Sequence, residues 1–183
     1  MDLPEHYLTN IKEEFLRYKG VAEKCFEQLT EEDLHFVPNE GDNSIAVIVK
    51  HMAGNMRSRW TNFLTEDGEK TWRHRETEFE PTLRAKAEVL EAWNSGWACL
   101  LEALESLAPE QVLNEVKIRE EAHTVIEAIN RQLAHYAYHT GQIVYLAKSI
   151  RGAQWKSPSI PKGQSDLFNK KMAEKASGDQ KRA

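Results

Sequence analysis

Apolar side chains recur at alternating intervals of three and four residues along four long stretches of the chain. This spacing places one apolar stripe on each stretch and predicts four amphipathic helices that pack stripe to stripe. The expected fold class is therefore all-α, a four-helix bundle. Ser44, a Thr124–Glu127 capping box and Gly152 are suitable boundary residues for the second and fourth helices. The predicted helices cover residues 3–29, 44–64, 82–107 and 124–150.

The connection between the second and third helices, residues 65–81, is polar and ends at Pro81. A chain of this length reaches roughly 55 Å when extended, whereas a twenty-residue helix is about 30 Å long. The connection can therefore travel the length of the bundle, which favours a long crossover over simple up-down-up-down wiring. Before the fourth helix, apolar and polar residues alternate over 116–120 and indicate a short extended piece.

Two prolines and a glycine beyond the fourth helix indicate an extended arm. We divide the chain into a bundle domain, residues 1–152, and a C-terminal arm, residues 153–183. The arm is expected to carry a short helix over 166–175, followed by a disordered tail. Trp155 and Ile160 are the apolar side chains expected to hold the arm against the bundle.

The 183 residues carry a net charge of -5, with 29% charged and 40% hydrophobic residues, which is the balance of one soluble globular domain. Acidic and basic residues are mixed, so no nucleic-acid partner is expected. No apolar run approaches the ~18 residues of a membrane span, and the N-terminus lacks a signal-peptide pattern, so no membrane partner is expected either. Cys25 and Cys99 have no motif spacing, which makes a reduced, cytoplasmic location the simplest expectation.

Three histidines are the candidate metal ligands. His135 and His139 lie four residues apart in the fourth helix, so their rings stack on one face and can bind one transition metal ion. The alternative is that one of them packs in the core and the other faces solvent. His51 lies at the edge of the apolar stripe of the second helix, and taken alone it is typical of a half-buried core histidine. If the two helices are neighbours, the three imidazoles can converge.

Helical spacing places further polar side chains near these histidines, where they could orient a ligand or a bound water. The alternative is that these polar side chains only solvate a pocket. Arg57, Arg59 and Lys162 could bind a carboxylate-bearing thiol cofactor, although such residues are more often surface charges. No acid or base can be identified beside the trio. The residues that we assign to cofactor binding are Asn55, Arg59, Gln132 and Gln142.

The chain resembles the DinB/YfiT-like superfamily of metal-binding four-helix bundles over about residues 5–150. The matching features are the helix start at Ser44, His51 seven positions later, and the His135-x-x-x-His139 pair. The runs HTVIEAINRQLAHYAYHTGQI and SIPKGQS resemble, more closely, a bacterial subfamily of unknown function within it.

The resemblance implies that the three histidines bind a divalent metal, commonly zinc or nickel, and that the bundle is wired up-down-down-up. Imidazole ligands also accept iron, so zinc, nickel and iron are the candidate metals. Relatives in the superfamily include thiol transferases that use bacillithiol, mycothiol or glutathione, and a maleylpyruvate isomerase; others have been proposed as hydrolases. We therefore expect a metal-dependent enzyme, thiol S-transferase-like or hydrolytic, in which a metal-bound thiol or water reacts with a small-molecule substrate. The alternative is a non-catalytic metal- or ligand-binding stress-response protein. A homodimer is a candidate oligomeric state of this protein.

Overall fold

Helices account for most of the chain, as the hydrophobic pattern predicts. The computed structural model describes residues 2–179, with side chains through residue 175. No helix in this part of the chain combines the length and apolarity needed to cross a membrane. The elements are α1 (Leu3–Phe26), α2 (Glu31–His35), α3 (Ile45–Trp60), α4 (Lys86–Glu105), β1 (Glu115–Ile118), β2 (Glu121–Thr124), α5 (Val125–Arg151) and α6 (Ser165–Asp179).

The helix starts follow local capping chemistry. The Ser44 hydroxyl accepts a hydrogen bond from the third backbone N–H of α3, and Thr124 forms a complete capping box with Glu127 at the start of α5. Thr30 caps the short helix α2 in the same way. Gly152 ends α5 with a φ of 51°, a left-handed conformation that glycine adopts without steric cost. The boundary residues that the sequence indicates for the second and fourth helices, Ser44, the Thr124–Glu127 capping box and Gly152, are thus confirmed.

The long helices share one core, whose centre is aromatic. Phe15 of α1 contacts Trp60 of α3, Trp97 of α4 and Tyr136 of α5, with ring centroids 6.0 to 6.3 Å apart. Edge and tilted ring contacts of this kind add to the free energy gained by burying the rings. Helices α3 and α4 approach so closely that a Cβ on Gly96 would lie 2.9 Å from the Cα of Ala53.

Several predicted boundaries are wrong by a few residues. Helix α3 ends at Trp60 instead of residue 64, because the chain turns at Asn62 with a φ of 49°. The extended piece is half of an antiparallel hairpin, in which β1 pairs with β2. Arg119 and Glu120 form its turn, and both have positive φ. Two-residue hairpin turns of this kind usually contain Asn or Gly, so the sequence offered little sign of the second strand.

The long connection between α3 and α4 folds back onto α3. Its Gly68 carbonyl accepts a hydrogen bond of 2.7 Å from Ser58 of α3. Its Asp67 carboxylate accepts two more, of 2.8 Å each, from the backbone N–H groups of Arg119 and Glu120 at the hairpin turn. The connection therefore joins α3 to the hairpin, and it contains a 3₁₀ turn at Arg75–Phe79.

One of the two anchors predicted for the C-terminal arm is present. Trp155 is partly buried against the core, and Lys156 exchanges backbone hydrogen bonds with the Gln28 side chain at 2.8 and 3.0 Å. Ile160 is 40% exposed, so its predicted anchoring role is wrong. Helix α6 is longer than predicted, and residues 180–183, the end of the expected tail, lie outside the described residues.

Candidate metal centre

His51 of α3 and the His135–His139 pair of α5 direct their imidazoles at one another. The Nε2 atom of His135 lies 3.4 Å from that of His51 and 3.0 Å from that of His139. The ligand atoms of all three lie within 4.8 Å of one another. With metal–nitrogen bonds of about 2.0–2.1 Å, tetrahedral ligands are separated by about 3.4 Å. The three histidines could therefore hold a metal ion.

The other ring nitrogens of two of these histidines have hydrogen-bond acceptors. His51 Nδ1 lies 2.8 Å from a Glu78 carboxylate oxygen, and His139 Nδ1 lies 2.7 Å from Gln142 Oε1. Gln142 donates its amide nitrogen to the Tyr138 hydroxyl at 3.1 Å, which agrees with this orientation of the amide. Because an acceptor faces each Nδ1, the hydrogen lies there and the lone pair lies on Nε2, where the rings converge.

Glu78, in the 3₁₀ turn of the long connection, supports His51 from behind. Arg73 donates two hydrogen bonds to the Glu78 carboxylate, from Nε at 2.8 Å and from Nη2 at 2.9 Å. Burial alone would raise the pKa of Glu78, but the hydrogen bonds from His51 and Arg73 outweigh it and lower the pKa. Phe79 stacks on the His51 ring at 4.9 Å. The expectation that no acid lies beside the trio is therefore wrong.

A glycine in α3 makes room for this carboxylate. Gly54 lies one helical turn after His51, and a Cβ at this position would lie 2.3 Å from Glu78 Oε1. Any larger residue would push Glu78 away from its partners. Neither Gly54 nor Glu78 could be singled out in advance, because the sequence contains many acids and several helical glycines.

Burial favours the neutral form of His135 and His139. It lowers the pKa of His135 to about 3, and repulsion from the neighbouring rings of His139 and His51 adds to the effect. Burial also lowers the pKa of His139, against an opposing hydrogen bond with Gln142. Only a neutral imidazole can donate its lone pair to a metal, so this environment favours the form that binds.

Asn55, one turn from His51, is oriented by a buried chain of hydrogen bonds. The Trp60 indole N–H donates to the Tyr136 hydroxyl at 3.1 Å, and this hydroxyl donates to Asn55 Oδ1 at 2.9 Å. The direction is set because an indole can only donate. The amide nitrogen of Asn55 therefore remains available to the cavity that this residue lines.

A cavity of about 230 Å³, which we call the arginine cavity, opens beside the trio. Gln132 in its wall is 4% exposed, and Gln132 Oε1 has no hydrogen-bond partner among the described residues. Arg59 binds Glu69 through both terminal nitrogens at 3.1 Å. The residues that line the cavity are His51, Asn55, Arg59, Arg73, Arg75, Arg119, Arg131, Gln132 and His135.

Three of the four residues predicted to bind a cofactor thus share this wall with two of the histidines. The fourth, Gln142, contacts His139 from the far side. A second cavity, of about 620 Å³, lies there and is lined partly by Gln142, Tyr138 and Tyr145. Arg57 and Lys162 are exposed and line neither cavity.

Fold and site together define a predominantly helical protein with three converging histidines that could hold a metal ion. The chain belongs to the family described as protein of unknown function DUF1572, whose model matches residues 2–164. No curated protein shows significant similarity to it.

Proposed function

We propose that this protein is a divalent-metal-dependent enzyme of the DinB/YfiT-like type, most similar in activity to the thiol S-transferases. The observation that carries the proposal is the convergence of the Nε2 atoms of His51, His135 and His139 beside an open cavity. Structural metal sites are usually closed by four protein ligands, whereas three ligands leave a position for a reactant. The up-down-down-up wiring of that superfamily is part of the proposal.

In this proposal, some side chains bind the metal ion and others orient its ligands. The three histidines hold the ion, while Glu78 and Gln142 fix the orientation of two of the rings. When bound, a divalent metal with neutral ligands lowers the pKa of a coordinated thiol or water, so that a nucleophile is available near neutral pH. Bacillithiol, mycothiol and glutathione are the low-molecular-weight thiols to be considered.

A non-catalytic metal- or ligand-binding role is the second candidate, and one observation favours it. Both Glu78 oxygens are occupied by Arg73 and His51. No carboxylate is found among the residues that line the arginine cavity. Within residues 2–175, the cavity wall therefore offers no general base apart from the histidines themselves.

Turnover measurements separate the two candidates. Purified protein is loaded with zinc, nickel or ferrous iron, and consumption of each thiol is followed with an electrophilic substrate, with and without a chelator. The proposal predicts turnover that the chelator removes. His135→Ala should lose this turnover, whereas His6→Ala, which replaces an exposed histidine of α1, should keep it. If no metal supports turnover with any thiol or with a hydrolysable ester, the binding role is preferred.

A further inference from the structure

We propose that the arginine cavity binds a carboxylate or phosphate group of the substrate and thereby holds the substrate beside the histidine trio. This inference rests on the proposed function, because it names the substrate class of the same site. Five of the nine lining residues are arginines, and none is acidic. Guanidinium groups bind planar carboxylates and phosphates through paired hydrogen bonds.

The inner arginines of the cavity outnumber the carboxylates that form ion pairs with them. Arg59 and Arg119 both bind Glu69, at 3.1 and 3.0 Å, and Arg73 binds Glu78. Three guanidinium groups therefore share two carboxylates. Asp67 adds a third negative charge near Arg59, but its oxygens accept hydrogen bonds from backbone N–H groups and it does not line the cavity. The charged side chains of the wall itself are all positive, so the cavity attracts anions.

Two further arginines, Arg75 and Arg131, have carboxylate partners that are exposed to solvent. Arg75 pairs with Glu76, whose side chain is 87% exposed, and Arg131 pairs with Glu121, whose side chain is 67% exposed. Solvent-exposed ion pairs contribute little free energy, because water screens both charges. The guanidinium groups of Arg75 and Arg131 are therefore able to exchange these partners for an anionic ligand.

The inner wall of the cavity offers polar groups that a ligand would satisfy. Gln132 is nearly fully buried, yet its Oε1 atom has no partner among the described residues. This amide oxygen accepts hydrogen bonds, so it suits a hydroxyl or N–H donor of the ligand and not its anionic group. Asn55 is held by Tyr136 so that its amide nitrogen remains for the cavity. Buried polar atoms rarely lack partners, so a polar ligand is the expected occupant.

The volume restricts the size of that ligand. A water molecule occupies about 30 Å³ in the liquid, so 230 Å³ corresponds to roughly eight waters. Inorganic phosphate or a four-carbon dicarboxylate fits this space, whereas a complete thiol cofactor would extend beyond it. The cavity therefore accommodates the anionic end of a substrate near the converging imidazoles.

Titration calorimetry with inorganic phosphate and with succinate tests the inference on metal-free and on zinc-loaded protein. The double variant Arg75→Gln/Arg131→Gln should bind the preferred anion at least ~10-fold more weakly in both metal states. Its matched control is Arg17→Gln/Arg57→Gln, which removes the same charge at two exposed positions outside the cavity and should change the affinity less than ~2-fold. The better-bound probe distinguishes a phosphate from a carboxylate substrate.

Two results would overturn the inference: neither anion binds the unmodified protein, or both double variants bind equally well. The metal content of the cavity variant should remain unchanged, because neither replaced arginine belongs to the trio. Loss of anion binding with full metal content isolates this inference from the metal site. Conversely, anion binding by a protein without any turnover would support the inference and contradict only the proposed enzymatic function.

Discussion

Helix α3 presents a polar face to the arginine cavity and an apolar face to α4. His51, Asn55 and Arg59 follow one another at intervals of four residues and line the cavity. Met52, Met56 and Trp60 lie one position further on in each turn and are buried in the core. The same helix therefore contributes to both the core and the candidate site. Residues that are adjacent in the sequence lie on its two different faces.

The two faces are stabilised in different ways. In the core, the indole N–H groups of Trp93 and Trp97 have no hydrogen-bond partner among the described residues, so close packing of the rings outweighs that cost. On the polar face, Arg73, Glu78 and His51 are joined by hydrogen bonds of 2.8 to 2.9 Å. Core stability thus comes from burial, whereas the geometry of the site comes from directional contacts.

The largest expected effect is in the core. Trp97→Ala removes a fully buried ring that contacts Phe15, Trp93 and Tyr136, and it should lower the free energy of unfolding by ~3–5 kcal/mol. Metal affinity of the remaining folded protein should be nearly unchanged. Urea unfolding followed by circular dichroism measures the first quantity and metal titration the second. A loss below ~1 kcal/mol would contradict the role of the aromatic core.

The second-largest expected effect is a loss of metal affinity when a histidine of the trio is replaced. His51→Ala, His135→Ala and His139→Ala should each weaken metal binding more than ~100-fold, because removing a ligand costs more than removing one of its supporting partners. Helical circular dichroism should persist. In the unmodified protein, metal at a hundredfold excess over its Kd should add about 2.7 kcal/mol to stability.

Elemental analysis measures the metal content of the three variants, and circular dichroism measures their helix content. Stoichiometric metal in the alanine variants would show that the trio is not the site. Loss of both metal and helix would instead indicate a structural ion, and it would remove the distinction between the two faces of α3.

A smaller loss of metal affinity is expected when Glu78, the hydrogen-bond partner of His51, is replaced. Glu78→Gln leaves His51 without a charged acceptor and should reduce metal affinity ~10–100-fold. Glu76→Gln is the matched control, because this carboxylate lies two residues away and its side chain is 87% exposed. Competition with a metal indicator gives both affinities. Equal affinities would mean that Glu78 does not position His51.

Replacing two glycines compares the apolar and polar faces of α3 most directly: Gly96 of α4 packs against the apolar face, and Gly54 lies against Glu78 on the polar face. Gly96→Ala forces a Cβ against the α3 backbone at Ala53 and should cost ~1–3 kcal/mol of stability. Gly54→Ala pushes against the Glu78 side chain and should instead reduce metal affinity, by up to ~10-fold. Alanine favours a helix over glycine by up to ~1 kcal/mol, so the fold should tolerate Gly54→Ala. If both variants lose stability equally and metal affinity not at all, the comparison fails.

The local features of this protein could be read from the chain. The intervals of three and four residues located the long helices, and Ser44, Thr124 and Gly152 marked their ends. The spacing of His135 and His139 placed two imidazoles on one face of α5. Such features depend on contacts within a few residues, so they need no knowledge of how distant segments meet.

Only the tertiary structure decided which distant groups meet. His51 and His135 are 84 residues apart in the chain, and Glu78 reaches His51 from an irregular connection 27 residues away. Arg119 reaches the cavity from a hairpin turn that the pattern did not reveal. Hydrophobic periodicity specifies which face of a helix is buried, but it carries no information on how a polar connection folds. The packing of that connection against α3 and the hairpin places Glu78, Arg73 and Arg119 at the site.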